Sequence, residues 1–297
     1  MIANDYKIIR CIKCGNKFSI YLGRDDILEC GRCGFAYYIR GGSFGYNFRA
    51  LLFQNFREKF LLNAALNNNG YLSYLQLPEG SLSLPSRSDV AHFRDFIIKN
   101  GHGVDILDIG CGPLPMPGYL QFNDGSNVCI IGIDPIENAA FQGLKIVGTG
   151  EYIPLCDETI DTIVFGTSLD HLVSVEATIE ECKRVLRSGG HTFVWMSDRT
   201  GNRTSGMKVL MRLAKAILMR LGIIREDPVS WIGSRKIGDY WVYPDYTVYH
   251  IPKGAVDPFH SFEETPAQVI KIFSSKGFTL VNKSAENSCE VFLCFKK

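Results

Sequence analysis

Apolar and polar positions along this chain follow two periods. Short apolar runs bounded by glycine, Val104 to Ile109, Val128 to Ile133 and Leu144 to Val147, read as buried strands of a parallel sheet. Asp161 to Phe165 and His191 to Met196 have the same character. Other stretches place apolar residues at helical spacing. Residues 48–67 do so through Leu51, Leu52, Phe56, Phe60, Leu61, Ala64 and Ala65, with a stop at Asn67 to Gly70. A second helix is predicted over 88–99, stopped by Asn100 and Gly101, and a third from Ile179 to a stop at Gly189 and Gly190. Residues 205–221 carry Met207, Leu210, Met211 and Ala214 on one face and Lys208, Arg212 and Lys215 on the other. This basic amphipathic helix reads as a lid packed on its own domain, with a membrane surface or a partner as the other uses of such a face. Thr265 to Gln268 is a capping box that opens a helix to Lys276, and 278–282 with 290–295 form a closing antiparallel hairpin.

From Val104 onward the order strand, loop, helix repeats, and that order predicts an α/β fold with a doubly wound, mostly parallel sheet. Length adds a second unit: 297 residues hold one full α/β domain and a small accessory piece. The expected division is 1–42, a helical connector 43–100, and a main domain 101–297 with an insertion at 198–260.

Composition narrows the class without naming a function. Hydrophobic content of 46% and charged content of 21% are ordinary for a globular protein, and a net charge of +1 argues against a dominant nucleic-acid surface. No apolar run reaches the ~18 residues of a membrane span. The amino terminus lacks the basic-then-apolar pattern of a secretory signal, so a cytoplasmic location is expected. The sequence sets no oligomeric state.

Of the ten cysteines, four are clustered. Cys11 and Cys14 form one C-x-x-C knuckle, Cys30 and Cys33 another, with fifteen residues between them. Each knuckle presents two thiolates from one tight turn, and two knuckles complete a tetrahedron around Zn2+. Four cysteines leave no open coordination position, so the expected role is structural, and in so small a unit the metal supplies much of the folding free energy. Phe18 to Tyr21 and Phe35 to Ile39 read as its strands.

The glycine loop carries the candidate chemistry. Asp108 stands where the first strand of the main domain opens into a crevice, the usual ligand position of an open α/β sheet. Gly110 and Gly112 follow, so the backbone there turns sharply and a ligand can approach it closely. A dinucleotide fingerprint needs a third glycine where this chain has Pro115, which disfavours a pyrophosphate cradle. Asp134, before Pro135 at the end of the second strand, can accept both ribose hydroxyls of a nucleoside; it can also cap a following helix.

Asp108, Gly110 and Gly112 with Cys111 between them resemble motif I of the class I S-adenosylmethionine-dependent methyltransferases, although Leu114 stands where many members have a further glycine. Gly148 to Pro154 is similar to that family's adenine loop, with Thr149 at the usual acidic position and Glu151 two residues later. The stretches 155–165 and 179–190 also resemble family segments. The resemblance implies a seven-stranded sheet with a reversed last strand, S-adenosylmethionine as cofactor, and binding through Asp108, Gly110, Cys111, Gly112, Asp134, Pro135, Thr149, Gly150, Glu151 and Gly166. Residues 1–42 resemble the short activator-type zinc ribbon found as a partner subunit of several methyltransferases, through the stretch Tyr37 to Gly42 after the second knuckle.

For an oxygen nucleophile a general base assists transfer, and His171, just beyond the fourth strand, is the candidate; His250 and His260 in the insertion are rivals. The aromatic-dense stretch 231–249, with Trp231, Tyr240, Trp241, Tyr243, Tyr246 and Tyr249, reads either as a pocket wall for a ring-bearing substrate or as the insertion's own core. The first functional reading is methyl transfer to a small-molecule or sugar-type acceptor. A second is an RNA or protein acceptor gripped by the zinc ribbon, since residues 1–60 hold ten Lys/Arg against five Asp/Glu. A third is a non-catalytic cofactor-binding protein that uses the ribbon as an interaction module.

Overall fold

The computed structural model describes residues 8–17, 20–22, 27–57, 59–60, 87–112, 114–122, 125, 127–136, 140–198, 235–237, 240–242, 248–250, 265–286 and 290–297. Strands β5 (Asp105–Ile109), β6 (Cys129–Asp134), β7 (Leu144–Val147), β8 (Ile160–Gly166) and β9 (Leu186–Ser197) fall where the apolar runs place them. They pair in parallel in the order β7-β6-β5-β8-β9. The closing hairpin, β13 (Thr279–Glu286) and β14 (Glu290–Lys296), docks through β14, which runs antiparallel to β9. β14, the last strand of the chain, is the reversed one, as expected.

The sheet does not stop at seven. β1 (Ile20–Leu22), β2 (Ile27–Cys30), β3 (Ala36–Arg40) and β4 (Ser43–Tyr46) form an antiparallel set in the amino-terminal unit. β4 then pairs in parallel with β7, Phe44 opposite Ile146 and Gly45 opposite Val147, so the whole is one eleven-stranded sheet. The seven-stranded expectation is corrected by this junction. Ser43 to Tyr46 is buried at every position, which a free sheet edge would not be. The loop 153–156 reinforces the seam, because Ile9 bridges Leu155 and the Cys156 N–H donates to the Ile8 carbonyl at 2.6 Å.

Side chains alternate across the strands into two cores. One face carries Leu107, Ile109, Ile131, Ile133, Ile163 and Phe165, covered by α3 (Val175–Val185) and α4 (Pro266–Ser275) through Ile179, Cys182, Val269 and Phe273. Ile9, Leu28, Tyr37, Phe44 and Tyr46 of the amino-terminal unit belong to this same core. The other face carries Ile106, Val164, Phe193, Trp195 and Phe292, covered by α2 (Ser88–Asn100) through Val90, Phe93, Phe96 and Ile97. A helix, α1, is described over 48–57 and 59–60, within the predicted helix 48–67; the rest of that prediction lies outside the described residues.

One helix ends earlier than its pattern predicts. α3 stops at Val185, and Leu186 already begins β9. The loop before β8 takes the last helical carbonyls: Glu158 N–H donates to Arg184 O and Thr159 N–H to Val185 O. Gly189 (φ 79°) and Gly190 therefore lie inside β9, where they exchange backbone bonds with Lys297 instead of stopping a helix.

The predicted helix 205–221 lies outside the described residues, as do Trp231, Tyr243, Tyr246 and His260. Within the expected insertion, β10 (Arg235–Ile237), β11 (Tyr240–Val242) and β12 (Val248–His250) make a separate antiparallel sheet. No described helix is long and apolar enough to cross a membrane.

Candidate active site

The candidate residues gather at the carboxyl ends of β5, β6, β7 and β8, most of them on the face covered by α2. Asp108 is fully buried and accepts the Tyr119 hydroxyl on both carboxylate oxygens, at 3.2 and 3.1 Å. Burial pushes its pKa up to about 7. The Tyr119 hydrogen bond and the Lys145 ammonium pull it down, and the neighbouring Asp134 pushes it up. Tyr119 comes from a short 3-10 turn, Gly118–Leu120, and its ring lies over Gly166, where an added Cβ would come within 2.4 Å of it. The end of β8 must therefore be glycine.

Gly110 (φ 80°) and Gly112 (φ 69°) both adopt backbone that favours glycine. Gly110 N–H donates to Ile133 O at 2.8 Å, tying the loop to β6, and a Cβ there would collide with Ser168. The Ser168 hydroxyl donates in turn to Ile109 O. Gly112 N–H donates to Asp134 Oδ2 at 2.9 Å, and Ile136 N–H to Asp134 Oδ1 at 2.9 Å. Asp134 thus braces the glycine loop with one oxygen and orders the turn after Pro135 with the other. Each oxygen keeps a lone pair for a ligand hydroxyl.

Lys145, 2% exposed, is a charge inside an apolar strand, and the sequence reading passed over it. Its Nζ donates to Cys111 Sγ at 3.0 Å and to Gly112 O at 3.1 Å, and lies 5.6 Å from the Phe141 ring centroid. Burial drives the Cys111 thiol pKa well up, so Cys111 stays a neutral packing group here. A lysine flanked by apolar residues on a buried strand is the signal that could have found this cation. Tyr119, within a proline-rich turn, gave none.

The loop 148–152 is held from two sides. Thr149 N–H donates to the hydroxyl of Tyr46 on β4, at 3.2 Å. Glu151, 4% exposed, accepts Val173 and Ser174 N–H on Oε1, at 2.7 and 2.9 Å, just before α3 begins. Burial raises the Glu151 pKa against those N–H groups. Gly150 is packed so closely that a Cβ would come within 2.7 Å of Thr178. Among the described residues, Thr149 Oγ1 and Glu151 Oε2 make no hydrogen bond although both are buried.

His171 closes the 3-10 turn Leu169–His171 after β8. Its Nε2 lies 3.8 Å from Asp170 Oδ1, and both side chains are 28% exposed. It is therefore open to solvent beside the buried cluster. His250 falls on β12 of the separate sheet.

The amino-terminal cysteines converge as the knuckle spacing predicts. The sulfurs of Cys11, Cys14, Cys30 and Cys33 all lie within 4.8 Å of one another, with Cys11 to Cys33 and Cys14 to Cys30 at 3.6 Å. A tetrahedral site with metal–sulfur bonds of ~2.3 Å has sulfur–sulfur edges of about 3.8 Å, so the donor set fits such an ion. Each knuckle turns on a glycine with positive φ: Gly15 N–H donates to Cys11 O and Gly34 N–H to Cys30 O, both at 2.8 Å.

Comparison with known proteins agrees with this architecture. Residues 107–194, from β5 into β9, match the methyltransferase domain family. Over 107 residues it is 31% identical to an uncharacterised protein of Methanocaldococcus jannaschii, covering 34% of this chain and 47% of that protein. Over 114 residues it is 26% identical to the mitochondrial ubiquinone biosynthesis O-methyltransferase of Homo sapiens, covering 33% and 30%. Over 116 residues it is 28% identical to the demethylmenaquinone methyltransferase of Symbiobacterium thermophilum, covering 33% and 45%. The chain spans less than half the length of each of these relatives.

Proposed function

We propose that this chain is an S-adenosylmethionine-dependent methyltransferase that acts on a small organic acceptor. The observation that carries the reading is Asp134, a buried carboxylate at the end of β6 with one oxygen on the N–H of Gly112. A carboxylate held in this way, against a glycine turn inside the stretch that matches the methyltransferase domain family, supports reading it as the acceptor for ribose hydroxyls. The residues suit the cofactor in kind. Gly110 and Gly112 leave the backbone open to close approach. Asp134 keeps acceptor capacity for sugar hydroxyls, and Thr149 Oγ1 and Glu151 Oε2 are buried polar atoms with no hydrogen bond among the described residues.

When bound, the cofactor supplies a methyl group already activated by a sulfonium. The chain's own residues then have modest tasks. Asp108, once ionised, would offer a buried negative charge to the cationic cofactor, and burial, opposed by the Tyr119 hydrogen bond and Lys145, sets how easily it ionises. His171, at the open end of β8, accepts a proton from an acceptor hydroxyl during transfer. Two of the relatives carry quinone-biosynthesis names, which favours a small aromatic acceptor over a macromolecule. Cys11, Cys14, Cys30 and Cys33 hold a structural Zn2+, which supplies folding energy and no step of the reaction.

Calorimetric titration with S-adenosylhomocysteine tests the cofactor assignment, with a dissociation constant in the micromolar range expected. Absence of heat at millimolar ligand rejects it. Methyl-labelled cofactor incubated with fractionated extract then tests the acceptor: label in a small-molecule fraction is expected, and label confined to RNA or protein overturns that part.

A further inference from the structure

The amino-terminal unit does more than lie beside the main domain. Tyr46, the last residue of β4, is 1% exposed and reaches the loop 148–152. Its hydroxyl accepts Thr149 N–H at 3.2 Å and donates to Tyr152 O, with Thr149 O also at 3.4 Å. Its ring packs on Gly148, where an added Cβ would come within 2.6 Å of it. One side chain therefore holds both ends of the loop's turn. On its other side the Tyr46 ring meets the Tyr37 ring edge-on, centroids 6.2 Å apart. The Tyr37 hydroxyl accepts Ile12 N–H at 2.8 Å, inside the first cysteine knuckle.

We infer that the four-cysteine unit forms part of the cofactor pocket, with Tyr46 as the residue that positions loop 148–152 for the adenine side of the ligand. The inference rests on the reading of this site as an adenosyl pocket. Binding of an adenine ring against backbone N–H groups requires those groups to be in place beforehand, because ordering them on binding would subtract from affinity. Tyr46 supplies that order from outside the main domain. Without its hydroxyl the Thr149 N–H and Tyr152 carbonyl, both in a buried turn, lose their partner, and the turn must find water or another conformation.

The test is titration of the full-length, metal-loaded chain with S-adenosylhomocysteine, for the wild type, Tyr46→Phe and Gly148→Ala. The second variant pushes the tyrosine ring off the loop from the opposite side. Both are expected to weaken binding about tenfold, a buried-hydrogen-bond effect. Amide exchange at 149–152 should accelerate in parallel. A dissociation constant within twofold of wild type in a folded variant overturns the inference, including when its melting temperature falls, since a purely structural role lowers stability without touching affinity. If Tyr46→Phe does not fold, Gly148→Ala decides alone. If the wild type itself binds no S-adenosylhomocysteine, the pocket assignment fails and the inference built on it falls with it, an outcome distinct from a variant that binds as well as wild type.

Discussion

Tyr119 donates its hydroxyl to both oxygens of Asp108, at 3.2 and 3.1 Å, in a site closed to solvent. That contact lowers the carboxyl pKa, yet burial outweighs it and leaves the value at about 7. The folded value lies above the ~3.9 of an exposed aspartate, so the folded state holds the proton more tightly. The stability this contributes is fully present below pH ~4 and is lost as pH rises through about 7.

Asp108→Asn should therefore flatten the pH dependence. Urea unfolding of wild type and variant from pH 4 to 8 is expected to show the wild type losing stability relative to the variant across that window, by an amount on the order of 3–4 kcal/mol. Parallel curves would place the proton elsewhere.

Lys145 favours the ionised form of the same carboxyl. Lys145→Met should move the midpoint of that pH profile upward, by about half a unit or more at the ~0.7 kcal/mol such a shift represents. Above that midpoint the variant is expected to be less stable, since it leaves the ionised Asp108 buried without its countercharge. A midpoint that stays still or moves down would exclude Lys145 as the countercharge.

His171→Ala is expected to cut turnover by more than tenfold while S-adenosylhomocysteine binds as in wild type. The ring is partly exposed beside Asp170, and a melting curve run alongside separates a folding defect from a catalytic one. Unchanged turnover removes the histidine from the mechanism.

Metal removal has a larger predicted footprint than the size of the four-cysteine unit suggests. Its residues share a core with β5, β6 and β8, and β4 is hydrogen-bonded into the central sheet. Cys30→Ser, with zinc content measured by mass spectrometry, should lower the melting temperature of the whole protein by at least ~5 °C, equivalent to ~2 kcal/mol or more. One cooperative transition is expected. Two separate transitions would show that this unit unfolds alone.

Much of the sheet was legible because buried parallel strands are short, apolar and bounded by turns, and β5 to β9 each carry that signature. The junction between β4 and β7 was not. Ser43 to Tyr46 is an aromatic-glycine stretch whose partner lies about a hundred residues away, and no local period records a pairing of that kind. The loop glycines and Asp134 could be read because their chemistry is set by residue type at a strand end. Glu151 could be placed in the loop but its bonds to Val173 and Ser174 could not, since they depend on where α3 begins in space. Gly189 and Gly190 misled for a related reason: glycines after a helical pattern mark its end only when no strand captures the carbonyls first.

The pairing of β4 with β7 also orders events during synthesis. The last strand of the amino-terminal unit emerges from the ribosome long before residues 144–147 exist to cover it. A nascent chain can collect its four thiolates early, yet it carries a bare, partly aromatic rim until the central strands arrive. That interval is when the newborn protein is most exposed to mispairing with its neighbours, and fast translation of the middle third would shorten it.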